Sequence, residues 1–235
     1  MTADADDSFD AEDADDPLAQ RAAVKEGYDE LAEDYAASRS SDDHRALLDR
    51  FLDDAPEGRV LDAGCGAGEP VLSRLADERA VVGTDFSREQ VRRASTVAPG
   101  RVVQSDITSL PFADDAFGAI TAFYAVIHVP FEEQRAVYDE FARVLQPGGE
   151  LLVTVGAEDW TGRNPDWLGS GTAMEWSTYG LERSTELLED AGFDVYDAVG
   201  AIDTVRDGDA PDETRIVDPD HEDAGHPFCF ARLDV

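Results

Sequence analysis

Five short apolar runs, broken at regular intervals by helical stretches, leave this chain few folds. Runs at 59–63, 80–84, 101–105, 117–124 and 149–155 read as strands, with helices near 68–78, 87–97 and 131–145. Short continuous apolar strands separated by helices imply a parallel sheet buried on both faces, hence an α/β class fold. Ser87 and Gln90 stand at capping-box spacing, so a helix begins straight after "GTDF". The connection "DITSLPFADDA" is too proline-broken for a regular helix. A helix near 180–191 ending at Gly192, then strands at 193–199 and 227–235, complete the pattern.

The first strand runs into "LDAGCGAGEP", where Gly64, Gly66 and Gly68 alternate with other residues. Glycines there let the chain turn tightly and approach a ligand, and the following helix N-terminus offers free N–H groups. Alone, such a turn is also an ordinary strand–helix connection. Three acids add to it. Asp62 precedes the first glycine, Asp85 ends the second strand and Asp106 follows the third. Ligands of open α/β sheets bind at that rim, and a carboxylate in the position of Asp85 can accept from both hydroxyls of a ribose. Asp106 can meet an adenine amino group, with Ile107 and Phe86 flanking the ring.

Before the sheet, residues 1–16 read as a disordered acidic tail. Asp16-Pro17 looks like an N-cap and first helical residue, opening a helix that carries Tyr28 and Tyr35 despite Gly27. With a second helix near 44–52 it forms a cap over 17–55, and the main domain covers 17–235. Residues 156–178 interrupt the alternation and hold all three tryptophans.

Formal net charge is −34, from 53 acids against 19 lysines and arginines, and Lys25 is the sole lysine. Such a surface repels nucleic acid and anionic lipid. An acidic face for a basic partner and solubility in a salt-loaded cytoplasm both account for it, and acids spread along the whole chain favour the second. No run is apolar enough to cross a bilayer, and the acidic start is unlike a secretory leader. Cys65 and Cys229 lack disulfide or metal-ligand spacing, consistent with a reducing cytoplasm. No metal site is expected.

"VLDAGCGAGEP", "VVGTDFS", "SDITSLPFADDAFGAI", "AFYAVIHVP" and "RVLQPGGELLVTV" together resemble the ordered motifs of class I S-adenosylmethionine-dependent methyltransferases, in their type-11-like small-molecule branch. The acid-rich, lysine-poor composition resembles proteins of halophilic archaea. The family resemblance implies a Rossmann-like, seven-stranded, mostly parallel sheet of order 3-2-1-4-5-7-6, strand 7 antiparallel, with helices on both faces. It implies S-adenosylmethionine as cofactor. Asp85 would take the ribose, Asp106 and Ile107 the adenine, and the Gly64–Gly68 turn with Asp62 the methionine end. Phe123 and Tyr124 would sit near the sulfonium, and Tyr35, with Arg39 less directly, would close the site.

Methyl transfer to a small molecule is therefore the expected activity. His128 is the candidate base, since imidazole suits proton transfer near neutral pH. It can equally cap or pack the strand–helix junction. Trp160, Trp167, Met174, Trp176 and Tyr179 are expected as an apolar substrate wall, or else as a seal on the sheet edge. Glu175 could add a carboxylate to that wall. Two other readings remain: a non-catalytic module binding the cofactor or its product, and a nicotinamide-dependent oxidoreductase. The G-x-G-x-G spacing departs from the dinucleotide fingerprint G-x-G-x-x-G/A. Acceptor atom and oligomeric state are not readable.

Overall fold

The computed structural model describes residues 16–38, 44–202, 215–221 and 224–234. Most of the expected acidic tail, Arg39 and the acidic loop after 202 lie outside the described residues. The chain begins with α1 (Pro17–Ser38) and α2 (Arg45–Asp54). Alternation follows: β1 (Val60–Ala63), α3 (Val71–Glu78), β2 (Val81–Asp85), α4 (Arg88–Val97), β3 (Val102–Gln104), β4 (Phe117–Ala122), α5 (Phe131–Val144) and β5 (Leu145–Thr154). A hairpin of β6 (Trp160–Asn164) and β7 (Met174–Thr178) precedes α6 (Leu181–Asp190), β8 (Phe193–Ile202), β9 (Arg215–Val217) and β10 (Pro227–Leu233).

The main sheet has the order β3-β2-β1-β4-β5-β10-β8-β9. Strands β1 to β5 pair in parallel, and β10 lies antiparallel to both β5 and β8. This is the expected seven-strand order, with short β9 added at the β8 edge. Period-two alternation divides the core. Leu61, Ala63, Ile120, Leu151 and Val153 face α5 and α6, where Val137, Tyr138, Phe141 and Leu188 pack. Val60, Ala119, Leu152, Phe228 and Phe230 face the other way, against Leu48 and Phe51 of α2 and Leu72 and Leu75 of α3. Each fully buried leucine, isoleucine, valine or phenylalanine among them contributes about 1.5–3 kcal/mol.

Three details differ from expectation. Helix α3 starts at Val71 rather than near 68, because the glycine turn and Pro70 occupy the residues before it. Strand β5 starts at Leu145, where it pairs with Phe117 ahead of an irregular step containing Gly148 and Gly149. The tryptophan-rich segment forms a two-stranded sheet of its own, Trp160 opposite Thr178 and Asn164 opposite Met174.

Helix α1 crosses the carboxyl rim of the sheet. Asp16 Oδ1 accepts the Leu18 N–H at 3.0 Å, which caps it as the sequence suggests. Polar contacts tie α1 to the rim beside its apolar packing. Asp29 accepts from the Ser87 hydroxyl at 2.6 Å and the Glu89 N–H at 3.1 Å, at the N-terminus of α4. Gln20 donates to Ser177 and Glu30 accepts from Thr172, both on the hairpin side. Gly27 is the close-approach point: a Cβ there would lie 2.9 Å from the Ala173 carbonyl oxygen and 3.1 Å from Met174 Cε.

Candidate functional site

The turn after β1 is fastened to the end of β2. The Gly64 and Cys65 amides donate to the Thr84 carbonyl at 2.8 and 2.9 Å. Gly66 N–H donates to Asp85 Oδ2 at 2.9 Å, while Asp85 Oδ1 accepts the Ser87 N–H at 2.9 Å. All three glycines have positive φ, but they serve different neighbours. A Cβ on Gly64 would lie 2.4 Å from Ala125 Cβ, and one on Gly68 would lie 3.2 Å from Ala94 and Val97. Those two glycines admit protein. Gly66 has nothing nearer than Tyr35 Cε1 at 3.9 Å and faces open space.

That space is a cavity of about 670 Å³, counting the part open to solvent. Helix α1 lines it with Arg21, Tyr28 and Tyr35. The turn supplies Gly64 and Gly66, the end of β2 Asp85 and Phe86, and the end of β3 Ser105, Asp106, Ile107 and Thr108. The segment after β4 supplies Phe123, Tyr124, Ala125, His128 and Val129. A neighbouring recess shares Tyr35, Gly64, Gly66 and Phe123 and adds Asp62. The cofactor-side residues expected from sequence are thus brought together, Gly68 excepted. Tyr124 holds a left-handed backbone, φ 55°, a conformation that a bulky residue keeps only where its surroundings impose it.

The acids are unequal. Asp62 is buried; its Oδ1 accepts from the Thr121 hydroxyl at 2.9 Å and its Oδ2 has no hydrogen-bond partner. Burial pushes its carboxyl up to about 7, against the Thr121 bond and with help from Asp85. Burial likewise lifts Asp85 to about 6, though backbone N–H donors from Ser87 and Gly66 oppose it. Asp106 is more exposed and already engaged. Its Oδ1 accepts from the Thr108 N–H and hydroxyl, and its Oδ2 accepts from Arg21, which also bonds Glu133 at 2.7 Å.

His128 is buried with both ring nitrogens occupied. Nε2 lies 2.8 Å from the Tyr28 hydroxyl and Nδ1 lies 2.9 Å from the Glu175 carbonyl. Burial pushes the imidazole down to about 4, overcoming the opposing pull of that carbonyl, so the ring is neutral.

The structure places the five residues expected as an apolar wall or seal around α1, the hairpin and α5. Trp160, Trp167, Met174, Trp176 and Tyr179 all lie outside the cavity lining. Met174 is buried against Val24, Tyr28 and Leu31. Trp167 meets Tyr28 and Tyr35 with ring centroids 5.9 and 5.6 Å apart, and Trp176 meets His128 at 5.8 Å. Tyr179 stacks on Phe131 at 4.3 Å, and Trp160 is half exposed. Trp167 and Met174 thus pack on α1, whereas Trp160 lies against Trp176 and Tyr179 against Phe131 of α5. The Glu175 carboxylate pairs with Arg163 at 3.4 Å instead of entering the cavity. Sequence reasoning missed Arg21, Tyr28, Ser105, Thr108, Ala125 and Val129. Tyr28 was within reach, seven residues before Tyr35 and so on the same helix face.

Among the described residues no helix is long and apolar enough to cross a membrane. No group of three or more His, Cys, Asp or Glu side chains there is placed to hold a metal ion.

A family model described as a methyltransferase domain matches residues 60–149. A protein of Encephalitozoon cuniculi named "putative methyltransferase" is 30% identical over 188 residues, covering 72% of this chain and 86% of its own. Methyltransferase GfsG of Streptomyces halstedii is 31% identical over 170 residues, covering 66% of this chain and 59% of its own. Among solved structures, the Burkholderia thailandensis 1,6-didemethyltoxoflavin-N1-methyltransferase with bound S-adenosylhomocysteine superposes with a TM-score of 0.65 at 16% identity. It covers 94% of this chain and 91% of its own. The motif order, the sheet, the rim cavity and these relatives converge: the chain belongs to the class I S-adenosylmethionine-dependent methyltransferases.

Proposed function

We propose that this enzyme transfers the methyl group of S-adenosylmethionine to a small-molecule acceptor through the cavity beneath α1. The carrying observation is Asp62 Oδ2, a buried carboxylate oxygen without a protein partner, in the recess that adjoins the cavity. An unpaired buried carboxylate is costly, and a ligand ammonium relieves that cost. The residues present fit the cofactor. Asp85 would accept from the ribose, Asp106 from the adenine amino group, and Phe86 and Ile107 would flank the base. Gly66, Phe123 and Tyr124 would border the methionine end, and Tyr35 would close it from α1. Asp106 carries a condition: Arg21 already donates to it, so an adenine amino group shares that carboxylate. When bound, S-adenosylmethionine supplies an electrophilic methyl group on a cationic sulfur, which suits an acid-lined site. The protein's main work is alignment of the acceptor with that methyl.

Arg21 is the only lysine or arginine in the described lining, and Asp106 and Glu133 hold it. With the net charge of −34, this favours an uncharged or cationic acceptor over nucleic acid. The composition also supports a salt-loaded cytoplasm of the halophilic archaeal kind. We take 17–235 as one catalytic domain, with 17–55 as its cap, 156–178 as an insertion that buttresses the cap, and 1–16 as an acidic tail.

Titration calorimetry in molar KCl tests the reading. S-adenosylmethionine and S-adenosylhomocysteine should bind, and NAD should not. Asp85→Ala should weaken binding about 100-fold, the loss of two hydrogen bonds to a charged acceptor. Binding of NAD in their place, or unchanged affinity in the variant, refutes the assignment.

A further inference from the structure

The hydrogen bond between Tyr28 and His128 joins positions 100 apart in sequence, and both residues line the cavity. Its direction follows from the next contact. The Glu175 carbonyl can only accept, so His128 Nδ1 carries the ring hydrogen and Nε2 presents its lone pair. The Tyr28 hydroxyl therefore donates to Nε2, and a hydroxyl that donates still has lone pairs with which to accept. Three elements converge on this arrangement: α1, the segment after β4, and β7 of the insertion. Packing alone does not require it. The Tyr28 ring is already gripped by Tyr35, Phe86 and Trp167, with centroids 5.3, 6.4 and 5.9 Å away, contacts that a phenylalanine would keep. The polar pair sits at the wall of the cavity, beside the Ala125 that packs on Gly64.

We propose that Tyr28 is a catalytic residue whose hydroxyl takes the proton of a protic heteroatom acceptor, an alcohol, phenol or N–H compound, with His128 relaying it. The Glu175 carbonyl fixes the imidazole tautomer that makes the relay run in this direction. The inference rests on the reading that the cavity receives S-adenosylmethionine and the acceptor together. In the step, a lone pair of the acceptor heteroatom forms the bond to the methyl carbon. The carbon–sulfur pair stays with sulfur and cancels its positive charge. The acceptor's proton passes to Tyr28 Oη as the Tyr28 proton passes to His128 Nε2; burial disfavours the imidazolium, which is transient and returns its proton through Tyr28 Oη to solvent once the product leaves. One buried cation disappears as another forms, so the site's total charge is unchanged across the transfer.

Two measurements test this. Ring-labelled nitrogen NMR is tractable with four histidines. It should show His128 protonated at Nδ1, with an Nε2 resonance that shifts in Tyr28→Phe. Single-turnover transfer from methyl-labelled S-adenosylmethionine is then followed on a panel of phenols, primary amines and imidazoles beside tertiary amines, thioethers and alkenes. Label should appear only on the protic members. Tyr28→Phe should lower kcat about 100-fold or more, the usual range for losing a general base, with KM and cofactor affinity within about threefold. A twofold solvent deuterium effect in the parent enzyme should vanish in the variant. Label on aprotic members or on none, kcat within about threefold of the parent, or an Nε2-protonated His128 overturns the proposal. The NMR result on the parent enzyme decides the relay geometry even where Tyr28→Phe folds poorly. Failure of S-adenosylmethionine to bind the parent enzyme refutes the proposed function instead, and this inference with it.

Discussion

On the proposed reading, Asp62 and Asp85 set the pH range in which the site accepts a cation. Both carboxyls are raised by burial, to about 7 and about 6, so in the free protein they hold protons that a cationic ligand must displace. Their unfolded values lie near 3.8, so the ligand-free fold loses stability as pH rises from about 4 to about 7, and the ligand restores it. Affinity for S-adenosylmethionine should fall as pH drops through this window and level off above it. The two linked protons predict a roughly 20-fold weakening between pH 8 and pH 6. Calorimetry in buffers of different ionisation enthalpy should record proton release at pH 6, and Asp62→Asn should remove the upper part of the dependence. A flat Kd from pH 6 to 8 takes the ammonium role from Asp62. Asp62, Asp85 and the glycines could be placed on one rim from sequence because they stand at strand ends, where position along the chain fixes position on the rim. The raised pKa values were not, because they depend on what covers those ends.

At the scale of elements, the β6–β7 hairpin is the surface on which α1 packs. Glycine in a helix interior normally costs about 1 kcal/mol relative to alanine, so propensity alone makes Gly27→Ala stabilising. The added Cβ would meet the Ala173 carbonyl at 2.9 Å, and backbone cannot swing aside as a long side chain can. Overpacking of this kind costs about 1–3 kcal/mol, so the net effect should be a lower Tm, by up to about 5 °C. It should also loosen cofactor binding through Tyr28 and Tyr35 on the same helix. A raised Tm in thermal denaturation counts against the hairpin as the docking surface of α1. The helix was readable from its spacing and its Asp16-Pro17 start. The hairpin was not, since five-residue strands among glycine and proline carry little periodicity and its partner lies over a hundred residues away.

For the whole molecule, charge decides the conditions of folding. With 53 acids and 19 lysines and arginines, most carboxylates have no opposite charge to pair with. Added salt weakens exposed pairs such as Arg92–Glu89, but such pairs contribute little to stability. It also screens repulsion among the many unpaired acids, with a Debye length falling from about 10 Å at 0.1 M to about 3 Å at 1 M. The second effect is the larger. Tm should rise by roughly 10 °C between 0.1 M and 3 M KCl, equivalent to a few kcal/mol for a chain of this size. A Tm that stays level removes the salt-adapted reading of the surface. The sequence by itself determined the alternation of strands and helices, the acids and glycines at the strand ends, and the acidic character. These follow from local periodicity, position along the chain and a simple count of charges, whereas the sheet order came only with the family resemblance. Only the tertiary structure decided that Trp167 and Met174 pack on α1. It alone set Tyr28 against His128, because that contact forms where three elements distant in sequence are brought over one end of the sheet, and no local pattern records it.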